Sequence, residues 1–218
     1  MLSFLHKYAK DYFASQNGEE GILLEVCRRL DLEHGYAVEI GGNNGLYCSN
    51  TALLLKDHGW SGIFVEYDYN LYLESKNNWR DNGPFFSSGR RVRHQCSRVD
   101  GNNINAFVDD RCDLLSLDTD GSDYRIFARL KAKPKIVIVE IDSSIPPDVE
   151  GFNSDGAAGY FTGVELGIEK GYLLLCHTGN LVFVDYQYKN LFPEVKGRHP
   201  LIESEYYFNR AWLKESAA

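Results

Sequence analysis

Several things are scarce or missing in this sequence, and each absence removes a class of protein. No apolar run approaches the roughly 20 residues that span a bilayer. The opening stretch, MLSFLHKYAKDYFAS, carries charges where a signal peptide would be continuously apolar. The chain is therefore expected to be soluble and cytoplasmic, without engaging a membrane. Its cysteines (Cys27, Cys48, Cys96, Cys112 and Cys176) are odd in number and widely separated, with no CxxC or His-rich spacing. That pattern argues against a disulfide scaffold or structural zinc site, and for reduced thiols. Positive charge is in deficit: 23 Lys and Arg stand against 31 Asp and Glu, a formal net charge of −8. A general nucleic-acid binder needs a basic face to replace phosphate counterions, so that class is disfavoured. There is no internal repeat and no Pro/Gly/Ser-rich linker.

What is present suits one ordinary globular domain. At roughly 150 residues per domain, the 218 residues make one domain or one with an appendage. With 44% apolar residues the chain can bury a core without disulfide or metal staples. Glu19 to Leu32 sets Ile22, Leu23, Val26 and Leu30 at helical spacing, with a cap near Asn17. Apolar runs at 36–40, 62–66, 114–118 and 135–140 read as strands, the last rich in β-branched residues, and 91–99 can hold a further one. Helical patterns at 50–58, 70–80, 102–109, 124–130 and 162–170 fall around them. The stretch 143–160, rich in Pro, Gly and Asp, reads as a long functional loop. Thr178-Gly-Asn180 between two apolar runs signals a closing hairpin. Such alternation predicts an α/β sandwich with a mainly parallel sheet.

In open α/β sheets, ligands bind beyond the carboxyl ends of the strands, so the residues there carry the information. After the first strand stand Glu39, Gly41, Asn43, Gly45, Ser49 and Asn50. Glycines let the backbone turn sharply, and Glu39 can accept hydrogen bonds from an ammonium or hydroxyl. After the second strand stands Glu66, placed to grip both hydroxyls of a ribose, then Asp68. The dinucleotide fingerprint G-x-G-x-x-G brings pyrophosphate to a helix N-terminus. Here Asn43 replaces the middle glycine, which argues against a nicotinamide-dependent oxidoreductase. The spacing suits a nucleoside cofactor without phosphate, such as S-adenosylmethionine (SAM).

Several segments together resemble the FkbM-like branch of class I SAM-dependent methyltransferases. They are Ser15-Gln-Asn-Gly-Glu-Glu-Gly21, Val38-Glu-Ile-Gly-Gly-Asn-Asn-Gly45 with Ser49-Asn-Thr51, and Gly59-Trp-Ser-Gly-Ile-Phe-Val-Glu66. Further along come Asp113-Leu-Leu-Ser-Leu-Asp-Thr-Asp-Gly-Ser-Asp-Tyr124, Val139-Glu-Ile-Asp142 with Ile145-Pro-Pro147, and Gly171-Tyr172. They run in family order over residues 15–188. The resemblance implies a Rossmann-like class I methyltransferase sandwich, with a mostly parallel seven-stranded sheet ending in an antiparallel hairpin. It implies SAM as cofactor and O-methylation of a sugar or other small hydroxylated metabolite. Carried over by position, Glu39, Gly41 and Gly45 become methionine-end and turn residues, and Glu66 the ribose acid. Tyr67 would pack on adenine, Ser97 would lie by its edge, and Gln16 would belong to an N-terminal cover. The expected organisation is a helical cover at 1–35, a SAM-binding core at 36–189 and a tail from 190 to 218 that matches nothing in the family. Asp142 stands where the family's strand-five motif carries Asn.

Asp118, Asp120 and Asp123 cluster at the end of the fourth strand, and Glu140 and Asp142 at the end of the fifth. Adjacent strands lie about 4.8 Å apart, so these acids can converge beside the transferred methyl. One of them, Asp118 first, can be a general base. Alternatively Asp118, Glu140 and Asp142 hold a divalent ion such as Mg²⁺. The ordinary reading is helix caps and turns. His177, ending the sixth strand, and His199 are further candidate bases, though a lone histidine is more often structural. The basic string Gly89 to Arg98 reads either as a guarded sheet edge or as a dock for an anionic acceptor. Tyr160, Phe161 and Tyr206-Tyr-Phe208 offer rings against which a sugar could stack. A non-catalytic interaction module of the same fold is the alternative to an enzyme. Nothing in the sequence sets the oligomeric state.

Overall fold

Seven strands pair into one sheet in the computed structural model, which describes residues 4–80 and 91–196. The strands are β1 (Tyr36–Ile40), β2 (Ser61–Glu66), β3 (Val92–Cys96), β4 (Leu114–Leu117), β5 (Ile136–Glu140), β6 (Tyr172–His177) and β7 (Asn180–Asp185). Their order is β3-β2-β1-β4-β5-β7-β6. The first five run parallel, and β7 lies antiparallel between β5 and β6. This is the mostly parallel seven-stranded α/β sheet with an antiparallel closing hairpin that the sequence predicts.

Helices α1 (Glu19–Arg29), α2 (Ala52–Asp57), α3 (Tyr69–Asn78), α4 (Asp123–Arg129) and α5 (Tyr160–Glu169) cover the two faces. Successive strand residues point to opposite faces, so the sheet has two cores. Val38, Val65, Leu115 and Val137 pack with Phe127 of α4 and Val164 of α5. Ala37, Phe64, Leu114 and Ile138 pack with Ile22 and Val26 of α1, Leu54 of α2 and Trp79. A fully buried Leu, Ile or Phe contributes about 1.5–3 kcal/mol, so these two layers dominate the stability. Double-sided burial explains why β4 and β5 are near-continuous apolar runs, interrupted by Ser116 and ended by Glu140, rather than alternating. The edge strand β3 exposes Arg93, Gln95 and Cys96, and charge there discourages pairing with another sheet.

Local departures from the sequence reading have clear causes. The α1 N-cap is Gly18, at φ 84°, rather than a polar side chain. Residues 102–109 form only a short 3₁₀ turn at Ile104–Ala106. Asp100 Oδ1 accepts from the amides of Asn102 and Asn103, a local bond that competes with helix. Part of the tail docks: Phe192 is buried, and Glu194 pairs with Arg29 at 2.9 Å. His199, Tyr206-Tyr-Phe208, Gly89 and Arg90 lie outside the described residues. Among the described residues, no helix is long and apolar enough to cross a membrane.

Candidate functional site

Chain connections leave β1 and β4 in opposite directions, which opens a crevice at their carboxyl ends. A cavity of about 700 Å³ occupies it. Every parallel strand contributes to the wall: Gly41 and Asn43 after β1, Glu66 and Tyr67 from β2, Ser97 and Arg98 after β3, Asp118 and Asp120 after β4, and Glu140 from β5. Gln16 joins them from the N-terminal segment.

The turn after β1 is shaped by its neighbours. Gly41 has φ 80°, and a Cβ there would lie 1.5 Å from the carbonyl oxygen of Asp118. Only glycine fits, because β4 ends directly against the turn. Asn43, also left-handed at φ 48°, donates its amide to Glu66 Oε2 at 2.9 Å. The amide of Asp68 donates to Glu66 Oε1 at 2.8 Å. Each carboxylate oxygen keeps a second lone pair, so Glu66 can still accept from a ligand in the cavity it lines. Tyr67 is 70% exposed and free to lie against a flat ligand. Ser97 is tied to the same corner, its amide donating to the Glu66 carbonyl at 2.9 Å.

Four residues expected to meet a ligand are committed elsewhere. Glu39 is fully buried and absent from the cavity wall. Its Oε2 accepts from Ser49 Oγ at 2.7 Å and from Thr51 Oγ1, and its Oε1 from the Asn50 amide at 2.9 Å. Asn50 Nδ2 donates onward to Ser116 Oγ at 3.0 Å. Glu39, Ser49 and Asn50 thus form a polar plug that anchors the β1–α2 loop under the site. Burial pushes the Glu39 carboxyl upward, and the bonds from Thr51 and Ser49 oppose that shift. Gly45 turns away as well: its φ is 74°, and a Cβ would meet Ser75 Oγ at 2.5 Å and Trp79 Nε1 at 2.9 Å. It serves the turn and the packing against α3.

The acids divide in the same way. One ligand oxygen each from Asp118, Asp120 and Glu140 lie within 4.8 Å of one another. Asp142 is not in this group. The chain turns out of the sheet after β5, and Asp142 accepts from Ser144 (amide 2.8 Å, Oγ 2.5 Å) and from Asn153 Nδ2 at 2.8 Å. Burial pushes its carboxyl up, but these bonds outweigh it and hold it below the usual range. Asp120 takes the place expected for Asp142, its left-handed backbone at φ 55° turning the chain into Gly121. Asp123 buttresses that turn, accepting from Thr119 and Gly121 amides at 2.8 and 3.2 Å.

Burial raises both the Asp118 and Glu140 carboxyls, and the neighbouring acids raise them further. An oxygen-only set of this kind is the type that takes Mg²⁺. Carboxyls that burial holds toward the neutral form are weaker cation ligands, so the donor set does not single out a metal.

His177 is buried at the far side of β6, not in the cavity wall. Ser143 Oγ lies 2.9 Å from its Nε2, and the Tyr160 ring meets it edge-on with centroids 5.6 Å apart. These contacts lock the β6 end to the loop after β5. Sequence reasoning passed over Tyr47, Cys48, Leu71, Thr119 and Ser122 as ligand contacts, all of which line the cavity together with Arg98, the end of the basic string. Their only signal is position, since each follows a strand end already identified.

No protein-family model matches the chain, and no curated protein sequence matches it. Among solved structures, the mitomycin 7-O-methyltransferase MmcR is 18% identical, over 68% of this chain and 48% of that one, at TM-score 0.41. The CurJ carbon methyltransferase is 14% identical over 76% of this chain and 52% of that one, at TM-score 0.46. A TehB-like SAM-dependent methyltransferase from Corynebacterium glutamicum is 13% identical over 83% and 90%, at TM-score 0.43. The chain thus spans about half the length of the first two. Superposition this loose leaves the functional reading to rest on strand order and on the residues of the cavity.

Proposed function

We propose that the protein is a SAM-dependent methyltransferase that transfers a methyl group to a hydroxyl of a sugar, glycan precursor or other small metabolite. One observation carries the reading: a nucleoside-sized cavity at the carboxyl ends of β1 and β4, with Glu66 in its wall at the end of β2 and its carboxylate bound to the amides of two further wall residues, Asn43 and Asp68. Its volume lies within the roughly 300–1,000 Å³ of small-molecule sites. Glu66 accepts the ribose hydroxyls, Tyr67 lies on the adenine face and Ser97 near its edge. Gly41 leaves the turn open for the amino-acid end, with Gln16 and the segment around it as cover. Bound SAM supplies an electrophilic methyl on a positively charged sulfonium.

The chain's own contribution is to hold the acceptor oxygen in line and receive its proton. Positioning supplies most of the rate, and a base adds a smaller factor. Asp118 is the base that takes the acceptor hydroxyl's proton, and Glu140, whose carboxyl burial raises further, keeps its own. Asp118, Asp120 and Glu140 make this end of the cavity acidic, which suits a neutral hydroxylated acceptor better than the anionic one suggested by the basic string. The loop 141–159, which follows Glu140 out of the cavity wall, shapes acceptor choice.

Calorimetric titration with S-adenosylhomocysteine, with and without Mg²⁺, tests the reading. Micromolar binding to the wild type that weakens in Glu66→Gln supports it. Absence of binding in both buffers overturns it, and leaves a non-catalytic module of this fold.

A further inference from the structure

Residues 11–18 fold into a buckle whose fastening is built from carboxylates. Glu20 is 1% exposed, and its oxygens accept three consecutive backbone amides, from Tyr12 and Phe13 at 2.7 Å and Ala14 at 2.8 Å. Glu19, fully buried, joins three parts of the chain. Its Oε2 accepts from the Asn17 amide at 2.8 Å, and its Oε1 from Thr178 Oγ1 at 2.6 Å and Asn180 Nδ2 at 3.2 Å. Asp11 closes the base of the loop, accepting from Ser15 Oγ at 3.0 Å and from the Gly18 amide. The turn also packs tightly: a Cβ on Gly18 would lie 2.6 Å from the Lys10 amide nitrogen, and one on Gly21 2.0 Å from the Tyr8 carbonyl oxygen.

At the tip of this buckle, Ser15 and Asn17 are buried, while Gln16 between them is exposed and forms part of the cavity wall. The fastening reaches the other side of the site too. Asn180, held by Glu19, sits opposite Glu140 in the β5–β7 ladder, and Glu140 lines the cavity. Three amides bound to one buried carboxylate are charge-assisted and short-range. Losing that carboxylate leaves the amides without partners and frees the loop that carries Gln16.

We infer that Glu19 and Glu20 are positioning residues for ligand binding: they fasten residues 11–18 in the arrangement that brings Gln16 to the cavity, so folding this segment and occupying the cavity reinforce each other. The inference rests on the methyltransferase reading for the ligand used to test it. Gln16 offers both an amide donor and an amide acceptor to that ligand. Neither glutamate touches the cavity, so their effect must pass through the segment they hold.

The test uses the full chain in four forms: wild type, Glu20→Gln, Gln16→Ala and the double variant, each titrated with S-adenosylhomocysteine. Glutamine at 20 keeps one acceptor oxygen and turns its amide nitrogen toward donors. Glu20→Gln is expected to weaken binding about tenfold, the equivalent of roughly 1.4 kcal/mol. Adding Gln16→Ala to it should then cost little more, because both changes remove one interaction. A purely structural role for Glu20 would make the two losses additive, and that overturns the inference. Binding by Glu20→Gln within twofold of wild type also overturns it. If Glu20→Gln does not fold, hydrogen exchange on the wild type decides. Amides 12–14 gaining protection with ligand support the inference, and unchanged protection overturns it. Failure of the wild type to bind at all is a separate result that removes the methyltransferase reading itself.

Discussion

The end of β4 presses on the turn after β1: the Asp118 carbonyl oxygen lies 1.5 Å from the point a Gly41 Cβ would occupy. The same residue that bounds the turn through its backbone lines the cavity through its side chain. Turn and acid are therefore placed by one contact.

Gly41→Ala should be destabilised on two counts, a left-handed φ and a clash with backbone that cannot rotate away. A loss of about 3 kcal/mol is expected, read as a lower urea midpoint with unchanged slope. A midpoint within error of wild type would contradict the geometry.

Glu66→Gln removes the charge that orders the Asn43 and Asp68 amides and that, under the proposed function, receives the ribose. Hydrogen bonds to a charged group are worth about 1.5–3 kcal/mol, so affinity for S-adenosylhomocysteine should fall by about tenfold to a hundredfold. The rise in melting temperature that ligand gives the wild type should shrink in parallel. An equal thermal shift in both proteins would remove Glu66 from the binding site.

The Asp118–Glu140 pair makes stability depend on pH in an unusual direction. Both carboxyls are raised in the folded state, so folding retains a proton that the unfolded chain releases. Their contribution is present in acid, below the ordinary carboxylate range, and is lost as pH rises through the raised values. Glu140→Gln, a neutral mimic of the protonated acid, should gain on the wild type by about 1–2 kcal/mol near pH 8.5 and by little near pH 4. Denaturant curves at the two pH values decide, and a constant difference between them would show that the Glu140 carboxyl is not raised by folding.

His94 works in the opposite sense. It stacks on Phe64 with centroids 5.7 Å apart, and Ser75 Oγ lies 2.9 Å from its Nδ1. Burial, aided by the charge of Lys76, lowers its pKa to about 4. Its contribution is complete above the ordinary histidine value and drains away as pH falls toward the depressed one. His94→Gln should therefore flatten the fall in melting temperature between neutral and mildly acid buffer. An NMR titration placing the imidazole near its ordinary value would refute this.

Strands β1, β2, β4 and β5 and helices α1, α3 and α4 are legible in the sequence to within a few residues, because each is written in a local period of apolar residues. The segment at 102–109 was not, since Asp100 and its neighbours offer the backbone turn bonds that a helical pattern does not reveal. Within the site, Glu66 and Asp118 could be picked out as acids at strand ends. Glu39 and Asp142 occupy equivalent positions in the sequence and face different surroundings in space. A buried plug of Ser49, Asn50 and Thr51 surrounds one, and a loop turn through Ser144 and Asn153 the other.

Alternation of apolar runs and helical stripes determined by itself the order of elements, the parallel sheet and the edge of that sheet where a ligand would sit, because burial and backbone pairing act on patterns only a few residues long. The tertiary structure alone decided which polar residues face that ligand. Past the last paired residue of a strand, a side chain's direction is set by how the chain turns and by which distant groups bond it. Asp120 reaches Glu140 because its backbone turns left-handed, and Gln16 reaches the cavity because two glutamates hold the loop beneath it.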